Sequence, residues 1–589
     1  MTSGQNRVFL TSRVAPRRVQ ALRCASARVA ALICLSLATV LPATAPAQEV
    51  SGKPEQAAAT RPPRIGPDLA AASNFGQGWR PDLYDAAISL GVRDFRDAVY
   101  WDRVETAGAY NYAAERDSYP RLLPHTGARM SLTVNNGHPD HQEGLTPSTP
   151  EAIAAFARFA ARTVTRYPAI RAVEVGNEVN SANFVAGPMA EAPLAERPAY
   201  SLALLKATHD AVKTARPEVQ ILGGGLHSIP TAWLSRLFAL GAGEYMDALA
   251  LHPYDTAPEQ LVRQVDWMRR IPGLEAMPLQ ITEFGTTDAD AAPGLLLRSH
   301  CQMALAGVTR AAWYPLHPRG DGLEPLLTEA ARPTHTGRVF HFAQARLSGR
   351  AVTDVAPDPF TYGCLYKGGA LLLWGAPREV IPAAGMQRLD VEGHPLPTGP
   401  VELDAAEPLI LVPRPDVPAP RSLADAVTLR PQTCLADSFD QFDLANTGAF
   451  EVLATNWTGT APLTAREGQW REGVPWVPYL GLESDAEVRV LPESLYPGGS
   501  EALIFRHVAQ AEGPATLHIA LRPAERSDDG VTLAVTLNGA SLLETTVEEA
   551  FERDLPVTLA PGDVLELHIG PGATVRGDVT AYRFTLTAG

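Results

Sequence analysis

Between Ile65 and about Gly349 the chain repeats one pattern, a short apolar strand followed by a helical stretch. That rhythm of parallel βα units restricts the fold more than any other feature. The strands it defines are Ile65–Asp68, Arg93–Arg96, Ala128–Val134, Ala172–Gly176, Gln220–Gly223, Ala248–Leu251, Leu279–Thr282 and Ala311–Trp313. Helices between them follow from apolar spacing, as in Glu151–Arg166, where Ile153, Phe156, Phe159, Ala160 and Val164 share one face. Eight units in roughly 285 residues fit a (β/α)8 barrel, placed here at 64–349. An open doubly wound sheet would often carry a glycine-rich phosphate loop, and the sequence has none.

After Gly349 strands and turns alternate without helical spacing. Phe360–Lys367, Ala370–Trp374, Arg388–Val391 and Leu409–Val412 predict a small β-domain over 350–413, packed on the barrel. Pro413, Pro415, Pro418 and Pro420 then predict a stiff linker, 414–433. Short strands such as Ala502–Arg506, Ala515–Leu521, Val531–Leu537 and Val564–Ile569, with turn signals at Asp528-Asp529-Gly530 and Asn538-Gly539, predict a C-terminal β-sandwich of jelly-roll type over 434–589.

The first 47 residues contain six arginines and no acidic side chain, and Val29–Leu41 is an apolar run too short to span a bilayer. This is a signal peptide, with Ala45-Pro46-Ala47 supplying the small residues for cleavage after Ala47 and a flexible segment at 48–63 to follow. Removing those arginines from a net charge of −15 leaves −21, which argues against a nucleic-acid partner. With no later long apolar run, the mature chain is expected in the periplasm or outside the cell, without a stable membrane anchor. Cys301, Cys364 and Cys434 remain, enough for one disulfide at most and too scattered for a metal site.

Two strands end in a glutamate: Ala172-Val173-Glu174-Val175-Gly176-Asn177-Glu178 and, 105 residues later, Pro278-Leu279-Gln280-Ile281-Thr282-Glu283. In a barrel that end is the active face. Alternation puts Glu178 at the mouth and Glu174 one layer deeper, where a buried carboxylate needs a cationic partner; Arg96 is the candidate. Two carboxylates across one pocket are the minimum for glycosidic cleavage, one protonated to help the leaving oxygen depart and one ionised to attack or to activate water. His252-Pro253-Tyr254 closes the sixth strand, and Tyr254 can hydrogen-bond a nucleophilic carboxylate. Trp313 can stack on a sugar or fill the core. Asn135, Asn136 and His138, after the third strand, are candidate hydroxyl ligands or simply a turn.

The order of Arg96, Asn177-Glu178, His252-Pro253-Tyr254, Thr282-Glu283-Phe284-Gly285 and Trp313 resembles clan A of the glycoside hydrolases, most closely family 39 and related enzymes acting on bacterial exopolysaccharide. The stretch from Leu90-Gly91-Val92-Arg93 through Trp101, Val104-Glu105 and Gly108-Ala109-Tyr110 is also similar, and the resemblance covers about 65–413. It implies Glu178 as acid/base, Glu283 as nucleophile, Asn177 as a ligand of the sugar 2-hydroxyl, and a β preference. No cofactor is expected, and no metal, since no two or three His and acidic residues stand at ligand spacing on neighbouring strand ends. A departure is Gly176, where many relatives carry a bulky aromatic, so the pocket is expected to be wider there. The expected partner is a polysaccharide or oligosaccharide. A catalytically silent sugar-binding barrel that assists exopolysaccharide assembly or export is the alternative. In the sandwich, Trp457, Trp470, Trp476 and Tyr479 cluster in sequence and either bind glycan if exposed or fill the sandwich if buried.

Overall fold

A computed structural model describes residues 64–135, 137–457, 459–483, 487–499 and 502–589. The leader, the segment 48–63 and Asn136 lie outside the described residues. Eight parallel strands close into a barrel: β1 (Asp68–Ala72), β2 (Asp94–Ala98), β3 (Arg129–Val134), β4 (Ile170–Val175), β5 (Gln220–His227), β6 (Ala248–His252), β7 (Leu279–Phe284) and β8 (Val308–Trp313), with β1 paired to both β8 and β2. The first strand starts later than expected. Pro67 has no N–H for the ladder, so β1 begins after it, and Ile65 instead bridges Ala351. The helix expected at Glu151–Arg166 runs Pro150–Arg166, its N-terminus capped by Thr149, and buries Phe156, Phe159, Ala160 and Val164 against the barrel.

Behind the barrel stands the small β-domain. Its principal sheet uses period-2 alternation on both faces: Cys364, Tyr366, Leu372 and Trp374 join the barrel core, while Leu365, Leu371 and Leu373 face the domain's own core with Val380, Met386 and Val427. The disulfide Cys301–Cys364 ties the helix Ala292–Ala306 to this sheet, and Cys434 is a buried free thiol. The expected linker at 414–433 is a correction. Ser422 and Asp425 form a capping box for a short helix, Leu423–Ala426, and Val427–Leu429 pairs as a strand with Glu379–Pro382. The apolar residues Ala426 and Val427 fold back into the small domain, so the prolines form a strap across it and not a spacer.

The C-terminal part is a sandwich of two antiparallel sheets. Asn538 and Gly539 both have positive φ and close a two-residue hairpin, as the Asn-Gly signal predicts. The sandwich is docked on the barrel and on the small β-domain through polar contacts. Gln260 Nε2 donates to the Phe439 carbonyl at 2.7 Å, and Tyr362 Oη to Asp440 at 2.9 Å. Val477 belongs to the barrel's apolar core, while Trp267 of the barrel packs against the sandwich's.

Candidate active site

At the C-terminal rim of the barrel three carboxylates converge on one imidazole, and two of them also share one guanidinium. Glu174 points inward from β4 and is fully buried. Arg96 from β2 is the cation it needs: Nε donates to Oε2 at 2.7 Å and Nη2 to Oε1 at 3.1 Å. Thr282 Oγ1 donates to the same Oε1 at 2.9 Å. The Cα of Gly225 lies so close that a Cβ there would meet Glu174 Oε1 at 2.6 Å, so glycine is required for this packing. With Arg96 and His252 as partners, the Glu174 carboxyl stays well below the usual range, although burial opposes its charge.

Arg96 is shared. Its Nη1 donates to Glu283 Oε1, and its Nη2 also donates to Asn177 Oδ1 at 2.8 Å. The other oxygen of Glu283 accepts from Tyr254 Oη at 3.0 Å. One residue thus connects the buried Glu174 with the mouth of the barrel, and both oxygens of Glu283 are oriented by donors.

Glu178 reaches the site differently from expectation. Strand β4 ends at Val175, Gly176 turns the chain with φ +95°, and Glu178 itself sits in the left-handed region at φ +46°. That conformation costs a non-glycine residue about 1–2 kcal/mol. It is held by Glu178 N–H donating to the Gly225 carbonyl at 2.5 Å. The Gly176 position does not widen the pocket, because Val179 fills the space a side chain would take: a Cβ would meet its Cγ1 at 2.4 Å.

His252, fully buried at the end of β6, places Nδ1 3.2 Å from Glu178 Oε1 and 3.8 Å from Glu283 Oε2. Its Nε2 lies 3.0 Å from Thr282 Oγ1 and 3.4 Å from Glu174 Oε1. Burial opposes its charge, but Glu283, Glu174 and Glu178 outweigh that and push the imidazole up to about 9. His227 Nδ1 is a second neighbour, 3.2 Å from Glu178 Oε1. Burial would raise the Glu178 carboxyl, yet the hydrogen bonds from His227 and His252 bring it down to about 2. One oxygen each of Glu178 and Glu283 and one nitrogen of His252 lie within 4.8 Å of one another. Such a trio has metal-ligand geometry, which the strand spacing did not suggest. Arg96 and His252 bring two positive charges to Glu178, Glu283 and the buried Glu174.

Arg96, Asn177, Glu178, His252, Tyr254 and Glu283 therefore share one site, and half-buried Asn135 stands at the same rim, directly after β3. Two candidates do not reach it. Trp313 is fully buried, packed edge-on against Phe284 with its Nε1 donating to the Glu324 carbonyl, because the chain around Glu324 closes over the end of β8. Its ring is core. His138 is also buried: its Nε2 contacts the Glu105 carbonyl at 3.1 Å and its Nδ1 accepts from Asp140 N–H, so both nitrogens hold loop backbone and neither is free for a hydroxyl. His227 was missed because the strand was ended at Gly223, where a run of three glycines reads as a break; β5 continues through it.

The aromatics of the sandwich divide. Trp457 is 90% exposed, Trp470 and Trp476 are half-buried, and Tyr479 is buried with its hydroxyl accepting from Trp470 Nε1 at 2.8 Å. Trp476 lies against His227, ring centres 4.9 Å apart and nearly perpendicular. Behind Tyr254 a cavity of about 410 Å³ opens between barrel, small β-domain and sandwich, bounded by Trp374, Asp440 and Arg583.

No family model matches the sequence, and no curated protein matches it. Among solved structures, the chain is similar to a family 39 glycoside hydrolase from the gut symbiont Bacteroides cellulosilyticus WH2, at 15% identity over 60% of this chain and 81% of that one, with a TM-score of 0.49. It is also similar to a monomeric beta-xylosidase from Caulobacter crescentus CB15, at 13% identity over 88% and 98% of the two chains (TM-score 0.42). A GH30 endoxylanase from Clostridium papyrosolvens C71 matches at 10% identity over 87% and 98% (TM-score 0.41).

Proposed function

We propose that the protein is an exported retaining glycoside hydrolase that cleaves O-glycosidic bonds, preferentially β-linked, in a polysaccharide or oligosaccharide by double displacement. Glu283 is the nucleophile and Glu178 the general acid/base. The observation that carries this reading is the approach of one oxygen of Glu178 to within 4.8 Å of one oxygen of Glu283 at the active rim of the barrel. Direct attack on an anomeric carbon calls for carboxyl groups roughly 5–5.5 Å apart, whereas inversion needs ~6.5–9.5 Å to admit a water.

The surroundings separate the two roles. Glu283 takes a guanidinium hydrogen bond on one oxygen and a phenol on the other, which aim it. Glu178 instead lies 3.2 Å from His252 Nδ1, and this pair holds the proton for the departing oxygen. When Glu283 bonds to the anomeric carbon and the glycosidic bond breaks, Glu283 becomes a neutral ester. One of the three carboxylates that sustain the charge on His252 is then lost, and the proton moves through Glu178 to the leaving oxygen. In the second step water attacks the same carbon, Glu178 takes its proton, and Glu283 leaves as carboxylate. Asn177, oriented by Arg96, is placed to bind a hydroxyl of the sugar.

Export is supported by the leader and by the Cys301–Cys364 disulfide, which suits an oxidising compartment. Among the described residues no helix is long and apolar enough to cross a membrane. The test is turnover of a panel of aryl glycosides and bacterial exopolysaccharides, with NMR of the first-formed sugar. Inversion of the anomeric centre would overturn double displacement. Binding of glycans without turnover of any would favour the silent sugar-binding barrel, and activity abolished by chelation would favour a metal in the Glu178–His252–Glu283 cluster.

A further inference from the structure

The strands Thr464–Arg466 and Tyr479–Gly481 are neighbours at the edge of one sheet of the sandwich, yet the segment between them leaves it and enters the rim of the barrel. Gly468 exchanges two hydrogen bonds with the barrel helix Thr231–Ala239: its N–H donates to Thr231 Oγ1 at 2.9 Å, and its carbonyl accepts from Ala232 N–H at 3.0 Å. A Cβ on Gly468 would lie 2.1 Å from the Trp476 carbonyl, so the segment doubles back on itself tightly there. Gln469, buried, donates from Nε2 to the Asn180 carbonyl at 2.8 Å and accepts from Asn180 Nδ2 at 3.0 Å. Asn180 in turn brackets the backbone of His227, accepting from its N–H at 2.9 Å and donating to its carbonyl at 3.1 Å. Trp476 packs on the His227 ring, and His227 Nδ1 touches Glu178.

We propose that Gln469 and Trp476 of the C-terminal sandwich are positioning residues of the catalytic site: they fix the backbone and the ring of His227, and through that ring the carboxyl of Glu178. The backbone of His227 is held by the Gln469–Asn180 clasp, and its imidazole is packed by Trp476. Without the indole, the imidazole can rotate about its side-chain bonds away from Glu178 Oε1. The carboxyl then keeps only His252 and is no longer fixed in one orientation. Glu283, held by Arg96 and Tyr254, is untouched by the segment. The loss therefore falls on proton transfer and not on nucleophilic attack.

This inference rests on the glycosidase reading. Its test uses the full chain as wild type, Trp476→Ala, Trp476→Phe, Gln469→Ala and Glu178→Ala, each checked for an unchanged circular dichroism spectrum and melting transition. Glycosides with leaving groups of graded pKa are compared by kcat/KM, which reports the first chemical step. Trp476→Ala and Gln469→Ala should lose at least tenfold on poor leaving groups while staying within about threefold of wild type on dinitrophenyl glycosides, a partial copy of Glu178→Ala. Trp476→Phe should recover most of the loss. A uniform decrease across all leaving groups, or no decrease while Glu178→Ala shows its own, overturns the positioning role and leaves the glycosidase reading intact. Wild-type inactivity on every glycoside sinks the glycosidase reading itself, and this inference with it. Should Trp476→Ala not fold, Gln469→Ala and Trp476→Phe decide the matter.

Discussion

Asn180 and Gln469 stand 289 positions apart in the chain and clasp each other through two hydrogen bonds, one between side chains and one from the Gln469 side chain to the Asn180 backbone. Asn180 lies two residues beyond the candidate acid/base, and Gln469 belongs to a domain that the sequence marks as separable. The clasp makes the rim of the barrel and the sandwich one piece of structure.

Truncation after Val412 is accordingly expected to abolish soluble, active protein, where the proline run alone would predict an independent catalytic fragment. The cut removes Val427–Leu429 from its sheet, uncovers the barrel-core residue contacts of Val477 and leaves Asn180 without Gln469. Soluble yield and activity on a small aryl glycoside measure it. A fragment with more than about a tenth of wild-type kcat/KM would show that the domains are separable after all.

The two glutamates should fail in different ways. Glu283→Ala removes the nucleophile, so turnover collapses for every leaving group. Glu178→Ala removes proton transfer, worth typically ~10²–10⁴-fold, and spares the first step on dinitrophenyl glycosides. The glycosyl-enzyme then accumulates, KM falls together with kcat, and azide restores turnover by giving a glycosyl azide of retained configuration. Exchanged behaviour of the two variants would exchange the assignments.

Activity on poor leaving groups should decline on the alkaline side near pH 9. The His252 imidazole, raised to about 9 by the carboxylates around it, carries the proton below that pH and loses it above. The acid-requiring step is thus intact at neutral pH and lost as pH rises through about 9, while kcat/KM on dinitrophenyl glycosides continues flat. A decline centred near the ordinary histidine value of about 6.5 would contradict the charge arrangement.

His300 predicts an acid-labile fold. Fully buried between Tyr366 Oη at 2.9 Å and Ser348 Oγ at 3.4 Å, it is held neutral by desolvation, down to about 3. The unfolded chain binds a proton there below about pH 6.5 and the folded chain does not until about 3, so stability is complete above 6.5 and falls as pH drops. Between pH 7 and pH 5 this one group should cost about 2 kcal/mol. Urea unfolding of wild type and His300→Gln at both pH values measures it: the variant should start less stable and lose less. Equal losses in the two proteins would assign the acid sensitivity elsewhere.

How much was legible beforehand follows from the range of each interaction. The barrel strands are readable because apolar alternation is local, and Arg96 because a buried carboxylate demands a cation and Arg96 stands at the end of an earlier strand. Glu178 stands at the mouth through a left-handed turn, which side-chain alternation along a strand does not anticipate. His227 was hidden behind three glycines. Trp313 and His138 misled because a strand end reveals which side chain stands there and not which loop closes over it; the chain around Glu324 covers one, and the Glu105 backbone binds the other. The docking of Gly468 and Gln469 on the barrel left no local pattern, being a pairing of backbone and carboxamide groups far apart in the chain.

The strand Thr580–Ala588 adds a temporal consequence. It pairs with Cys434–Asp437, with Ser494–Tyr496 and with Gly513–Pro523, and the edge strands that carry the Gln469 segment are joined to it through Arg489–Val490. During synthesis the barrel is complete some 240 residues earlier, yet its rim must wait for that late strand before His227 is clamped. A nascent chain therefore carries both carboxylates of the candidate site long before Thr580–Ala588 is there to brace the Gln469 segment against it.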